Sequence, residues 1–103
     1  MKSEVLILYT RKGCCLCQTL ETKLSNICLE NLNPAISLSI VDIDSKKVSL
    51  DIQMKYTNNV PVIVLDSTRL LKKIELPRVS PRLKEDMLLA WIQKNLNVFY
   101  KIT

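Results

Sequence analysis

The chain has 103 residues, 48% hydrophobic and 24% charged, a composition that suits one globular domain over residues 1–103 and excludes disorder. No apolar run approaches the roughly 18 residues that a membrane-spanning helix requires. The net charge of +5 does not by itself indicate nucleic acid, because the cations are spread along the chain and only Trp91, Phe99 and three tyrosines could stack on bases.

Val5-Leu6-Ile7-Leu8-Tyr9 is a short apolar run, and residues 4–9 read as a first strand buried on both faces of a sheet. Because this strand begins almost at once, with no apolar leader before it, no secretory signal is expected, and a reducing, cytoplasmic compartment is the expected home. Leu16, Leu20, Leu24 and Ile27 then recur at helical spacing, so residues 15 to about 30 are expected to be helical, closed by Asn33-Pro34.

Between strand and helix lies Arg11-Lys12-Gly13-Cys14-Cys15-Leu16-Cys17. The unpaired N–H groups and positive dipole end of a helix N-terminus favour a thiolate over a thiol, and Arg11 and Lys12 push in the same direction. Cys14 is therefore the expected nucleophile. Cys17, three residues along and one helical turn away, is the expected resolving thiol and disulfide partner. Cys28 is eleven residues beyond Cys17, about 16 Å along a continuous helix, whereas a disulfide needs Cα atoms within about 7 Å. Cys28 is accordingly expected to be a small core residue, and Cys15 an exposed thiol outside the exchange chemistry.

Ile36 to Asp44 reads as a second strand, so that strand, helix and strand imply a right-handed parallel crossover. Ser45 to Tyr56 is expected to be a helix capped by Ser45, and Asn58-Asn59 a turn. Val60 to Leu65 reads as a third strand with Pro61 at its tolerated start, and Asp66 to Arg69 as the turn into a fourth, Leu70 to Leu76. Ser80-Pro81 marks the expected start of the last helix, whose apolar stripe, Leu83, Met87, Leu88, Trp91, Ile92 and Leu96, is assigned to the core. The tail, Val98 to Thr103, is apolar enough to pack back on the body.

The element order is βαβαββα, an α/β class with a four-stranded mixed sheet flanked by helices. With the Cys-x-x-Cys pair, the Asp42-Ile43-Asp44 strand end, and Tyr56 followed by Val60-Pro61-Val62, the sequence resembles the glutaredoxin-like proteins of the thioredoxin-fold superfamily, in a short Cys-x-Leu-Cys form. The resemblance covers nearly the whole chain. It implies a thiol–disulfide oxidoreductase with Cys14 attacking and Cys17 resolving. It also implies that Pro61 is a cis-proline whose predecessor, Val60, offers its backbone to substrate, and that Arg11, with Lys12 beside it, contacts a glutathione carboxylate. The expected substrates are protein disulfides or glutathione mixed disulfides, handled by a monomer with no tightly bound cofactor and glutathione as a co-substrate.

Two departures from the glutaredoxin pattern stand out: Cys15-Leu16 replaces the usual Pro-Tyr, and the Gly-Gly turn after the third strand is missing, Gly13 being the one glycine in the chain. Weak glutathione-dependent activity is expected from the second. The competing reading is a cysteine-ligated zinc or iron–sulfur protein using Cys14, Cys15 and Cys17, with a fourth ligand from a second subunit, a small thiol or an acidic side chain, since the chain has no histidine and Cys28 is placed out of reach.

Overall fold

A computed structural model describes residues 4–32, 35–68 and 71–100. The Asn33-Pro34 helix closure, Arg69 and Leu70 of the expected hairpin, and tail residues 101–103 lie outside the described residues. The elements in chain order are β1 (Glu4–Thr10), α1 (Cys15–Asn26), a 3-10 turn (Leu29–Asn31), β2 (Ser37–Asp42), α2 (Leu50–Tyr56), β3 (Val62–Ser67), β4 (Lys72–Glu75) and α3 (Glu85–Tyr100). They form the expected α/β fold with a four-stranded mixed sheet of order β2-β1-β3-β4. β1 runs parallel to β2 and antiparallel to β3, and β3 runs antiparallel to β4.

The apolar run of β1 divides by parity, as the pleat of a strand requires. Leu6 and Leu8 join Leu20 and Leu24 of α1 and Leu88, Ile92 and Leu96 of α3 in one core, while Ile7 and Tyr9 join Ile43, Tyr56, Val62 and Val64 in a second core on the opposite face. The neighbouring strand repeats the division: Leu65 opposes Leu6 and Ile63 opposes Leu8, whereas Val64 opposes Ile7 and Val62 opposes Tyr9. β1 is thus an inner strand buried on both faces, and its C-terminal end leads into the cysteine loop.

Several element boundaries differ from the sequence expectation. α1 stops at Asn26, and Ile27 is extended (φ −97, ψ 155). Ser25 and Asn26 compete for backbone hydrogen bonds and favour ending a helix over continuing it. The chain then turns so that Leu29 is buried and Cys28 is exposed, which corrects the placement of Cys28 in the core. The cap of α2 is Ser49, whose hydroxyl accepts from Ile52 N at 3.4 Å. Ser45 instead opens a turn, closed by Val48 N donating to Ser45 O at 3.1 Å. β3 starts after Pro61, at Val62, and extends through Asp66 and Ser67, because those residues pair with Val5 and Glu4.

The last helix also begins later than its Ser-Pro signal. Arg82 N donates to Ser80 Oγ at 3.2 Å and Leu83 N to Ser80 O at 3.1 Å, a turn that ends before the helix. The Pro81 and Leu83 carbonyls are turned toward α1, where both accept from Lys23 Nζ. α3 starts at Glu85; Leu88, Ile92 and Leu96 face inward, Trp91 is half-buried and Met87 faces outward at 56% exposure, which corrects its assignment to the core. Tail residues 98–100 prolong this helix.

Candidate active site

The loop leaving β1 reverses through a turn closed by Cys14 N donating to Arg11 O at 3.3 Å. Its third position is Gly13, at φ +80, a conformation that side-chain-bearing residues rarely adopt and that a type II turn requires there. The turn delivers Cys14 to the N-cap of α1 (φ −92, ψ 103). Cys14 Sγ accepts a hydrogen bond from Cys17 N at 3.2 Å, the role a serine or aspartate oxygen plays at an ordinary helix cap. Cys14 is half-buried, whereas Cys17, on the inner side of the first turn, is 1% exposed. The two form a disulfide with Cα atoms 5.2 Å apart. Cys15 and Cys28 are free and exposed, and Leu16 stands 56% exposed beside the pair.

The Val60–Pro61 peptide bond is cis. Val60 packs against the core that contains Tyr9, Tyr56 and Val62, and Pro61 lies on the wall of a groove of about 280 Å³ together with Leu20, Leu76, Asn59 and Arg78. A second depression, of about 240 Å³, is bordered by Cys17, Arg11, Lys12, Glu21 and Asp42.

Arg11 is half-buried and bonded within the protein. Its Nε and Nη2 donate to Asp44 Oδ2 and Oδ1, both at 2.9 Å, its Nη1 donates to the Thr57 carbonyl at 2.6 Å, and its Nη2 also donates to Thr57 Oγ1 at 3.1 Å. The hydrogen-bonded guanidinium holds the Asp44 carboxyl below the usual carboxylate range, and Asp44 raises Arg11 in return. Asp44 and Thr57 were not among the expected site residues. In the sequence Asp44 is only the end of a strand and Thr57 the residue before a turn, and neither spacing announces a contact across 33 or 46 positions. Lys12 is exposed, with no hydrogen-bond or ion-pair partner among the described residues.

Behind the site, Tyr9 and Tyr56 stack at a tilt with ring centroids 5.3 Å apart. Tyr56 donates its hydroxyl to Glu75 Oε1 at 2.8 Å, and burial, reinforced by that carboxylate, pushes its pKa up to about 12. Lys55 lies 3.6 Å from the same Glu75 oxygen. Among the described residues, no three cysteine, aspartate, glutamate or histidine side chains are grouped to hold a metal ion. None of the described helices is long and apolar enough to cross a membrane.

Against known proteins, the profile of the glutaredoxin-like domain (DUF836) matches residues 5–93. The chain belongs to this glutaredoxin-like family. No curated protein matches it. Among solved structures, a thioredoxin mutant from Halobacterium salinarum NRC-1 is similar with a TM-score of 0.58 and 21% identity, over 90% of this chain and 74% of that one. Thioredoxin-2 of the malaria parasite gives a TM-score of 0.57 and 21% identity, over 89% of this chain and 82% of the other. Mitochondrial thioredoxin 3 from Saccharomyces cerevisiae gives 0.56 and 16%, over 91% and 80%. These likenesses establish the thioredoxin fold. With the Cys14–Cys17 disulfide at the start of α1, this glutaredoxin-like chain has the general equipment for thiol–disulfide redox chemistry.

Proposed function

We propose that the protein is a thiol–disulfide oxidoreductase that reduces or exchanges protein disulfides or glutathione mixed disulfides, carrying electrons as a cytoplasmic monomer without a tightly bound cofactor, a nucleic-acid partner or a membrane partner. One observation carries this reading. Cys14 caps α1 with its sulfur on the Cys17 N–H, while Cys17 lies beneath it at bonding range. In the reduced protein, that N–H and the positive end of the helix dipole stabilise negative charge on Cys14 Sγ, which lowers its pKa and makes it the attacking sulfur.

The Cys14 thiolate attacks one sulfur of the substrate disulfide, and the other substrate sulfur leaves as a thiolate that takes a proton from water. Cys17 then gives up its proton and attacks Cys14 Sγ, expelling the second substrate sulfur as a thiolate. The substrate gains two electrons and the protein is left with the Cys14–Cys17 disulfide, which two monothiols such as glutathione, or one dithiol protein, reduce again. Val60, on the cis side of Pro61, offers backbone groups to an extended substrate in the neighbouring groove, and Lys12 supplies positive charge. Arg11 supports the site from within the protein.

The segment after β4, Leu76-Pro77-Arg78-Val79, has no glycine that would let a ligand backbone lie against it, so turnover of glutathione mixed disulfides should be weak compared with dithiol exchange. Redox titration against glutathione and against a dithiol, with mass spectrometry of trapped species, tests the proposal. Cys17→Ser should accumulate a mixed disulfide on Cys14, and failure of any mixed disulfide to form there would refute it.

A further inference from the structure

The two cations ahead of Cys14 occupy opposite situations. Four N–H groups of the Arg11 guanidinium are engaged, two by Asp44 and two by Thr57, and a guanidinium has only five. One Nη1 hydrogen is left, enough for a single bond, and a substrate carboxylate could take Arg11 in a fork only by displacing Asp44, which exchanges one forked pair for another. It would also disturb Thr57, the C-cap of α2, three residues ahead of Val60. Lys12 sits at the second position of the same turn, exposed, without a partner among the described residues, and on the rim of the depression that reaches Cys17.

We propose that Arg11 is a positioning residue, which locks the Cys14 loop to the segment leading into Val60–Pro61 through Asp44 and Thr57, and that Lys12 is the residue that meets a carboxylate carried beside the target disulfide. The turn from Arg11 to Cys14 transmits the lock, since Arg11 O accepts from Cys14 N, so fixing Arg11 fixes the backbone that presents the sulfur. Three segments far apart in sequence are thereby joined by one planar fork, a geometry that the point charge of a lysine ammonium does not reproduce. The carboxylate that Lys12 meets belongs either to glutathione or to an acidic residue flanking a protein disulfide.

This inference rests on the oxidoreductase reading, and its test has an arm that does not. Arg11→Lys and Asp44→Asn should each lower kcat on a neutral disulfide (hydroxyethyl disulfide), a glutathionylated peptide and an acidic-peptide disulfide by a common factor of about ten, because misplacement of the nucleophile affects every substrate alike. Lys12→Gln should raise KM for the carboxylate-bearing substrates relative to the neutral one about two- to fivefold, as expected for an exposed ion pair. The excess should shrink at high salt, and whichever of the two acidic substrates shows it is the source of the carboxylate. A KM increase in Arg11→Lys confined to the carboxylate-bearing substrates would make Arg11 the direct contact and overturn the assignment, as would an unchanged KM ratio in Lys12→Gln.

Independently of turnover, amide hydrogen exchange over residues 12–17 and 57–60 should quicken in Arg11→Lys and Asp44→Asn but not in Lys12→Gln, with unchanged circular dichroism confirming that each variant folds. Unchanged exchange would refute the positioning role. If the wild-type protein turns over none of the three disulfides while exchange behaves as described, the oxidoreductase reading fails and the positioning role of Arg11 stands. In that event NMR titration with S-methylglutathione decides the Lys12 half, which requires weaker binding in Lys12→Gln and fails without it.

Discussion

Lys23 of α1 donates from Nζ to the carbonyl oxygen of Leu83 at 2.8 Å, joining the first helix to the approach of the last across 60 residues of sequence. The same ammonium also serves the Pro81 carbonyl. Two carbonyls that would otherwise have continued a helix begun at Ser80-Pro81 are thus committed to a side chain from another element, and Leu83 and Val79 are packed against the main core.

Lys23→Met, which retains the length of the stem, should destabilise the protein by about 1–2 kcal/mol, the usual cost of losing hydrogen bonds to a charged donor at a part-buried site. Urea denaturation measures this. Wild-type stability in the variant would mean that the Ser80–Leu83 turn holds itself.

Two positive φ angles predict opposite responses. Gly13→Ala should cost about 1–2 kcal/mol although nothing lies within 4 Å of the added methyl, because the penalty comes from the left-handed backbone at φ +80. Leu71, at φ 56 and 87% exposed, carries that penalty already in the connection between β3 and β4. Leu71→Gly should therefore be neutral or stabilising by up to about 1 kcal/mol, the backbone relief being partly offset by glycine's greater freedom when unfolded. The thermal midpoint should fall in Gly13→Ala and stay level or rise in Leu71→Gly, and a loss of stability in Leu71→Gly would refute the account.

The layout of the sheet and the cysteine pair were legible in the sequence because each rests on a local pattern: the unbroken apolar run of β1, the helical spacing of Leu16, Leu20 and Leu24, and the Cys-x-x-Cys that closes on itself within one turn. The details that escaped depend on distant partners. Cys28 was assigned to the core because free cysteine is commonly buried, but the chain leaves the helix after Asn26 and buries Leu29 in its place. Met87 was assigned inward because it shares helical spacing with Leu83 and Trp91, but the buried ridge runs through Leu88, Ile92 and Leu96, and Met87 lies on its exposed margin. The bonds from Arg11 to Asp44 and Thr57 left no sign in the sequence, because those partners lie 33 and 46 positions away.

Cys15 bears on the exchange mechanism. It is exposed and free, and its own part in the helix is backbone: its carbonyl accepts from Thr19 Oγ1 at 3.0 Å. A bond from Cys14 to Cys15 would close a strained ring between adjacent residues, whereas Cys17 already stands at bonding range. Cys15→Ser should leave the Cys14–Cys17 disulfide and dithiol reductase activity close to wild type. Brief alkylation of the reduced protein at limiting reagent should mark Cys14 before Cys17 or Cys28. Loss of most turnover in Cys15→Ser would show that the two-cysteine mechanism is incomplete.

The buried tyrosine predicts an alkaline limit to stability. Tyr56 has its pKa raised to about 12, first by burial and then by its bond to Glu75, while an unfolded tyrosine titrates near about 10. Between those two values the unfolded chain releases a proton that the folded chain keeps, so the stabilising contribution is complete below about pH 10 and is lost as pH rises through the folded value. Urea midpoints measured from about pH 8.5 to 11.5 should fall more steeply for the wild type than for Tyr56→Phe, which has no hydroxyl to ionise and keeps the ring stacked near Tyr9. Absorbance at the tyrosinate band follows the Tyr56 hydroxyl directly, as a late transition that is lost in Tyr56→Phe. Tyr9 is also raised, by burial and by Asp66, so a second late transition belongs to it and survives in Tyr56→Phe. Parallel slopes for the two proteins would mean that the Tyr56–Glu75 bond opens before the hydroxyl ionises.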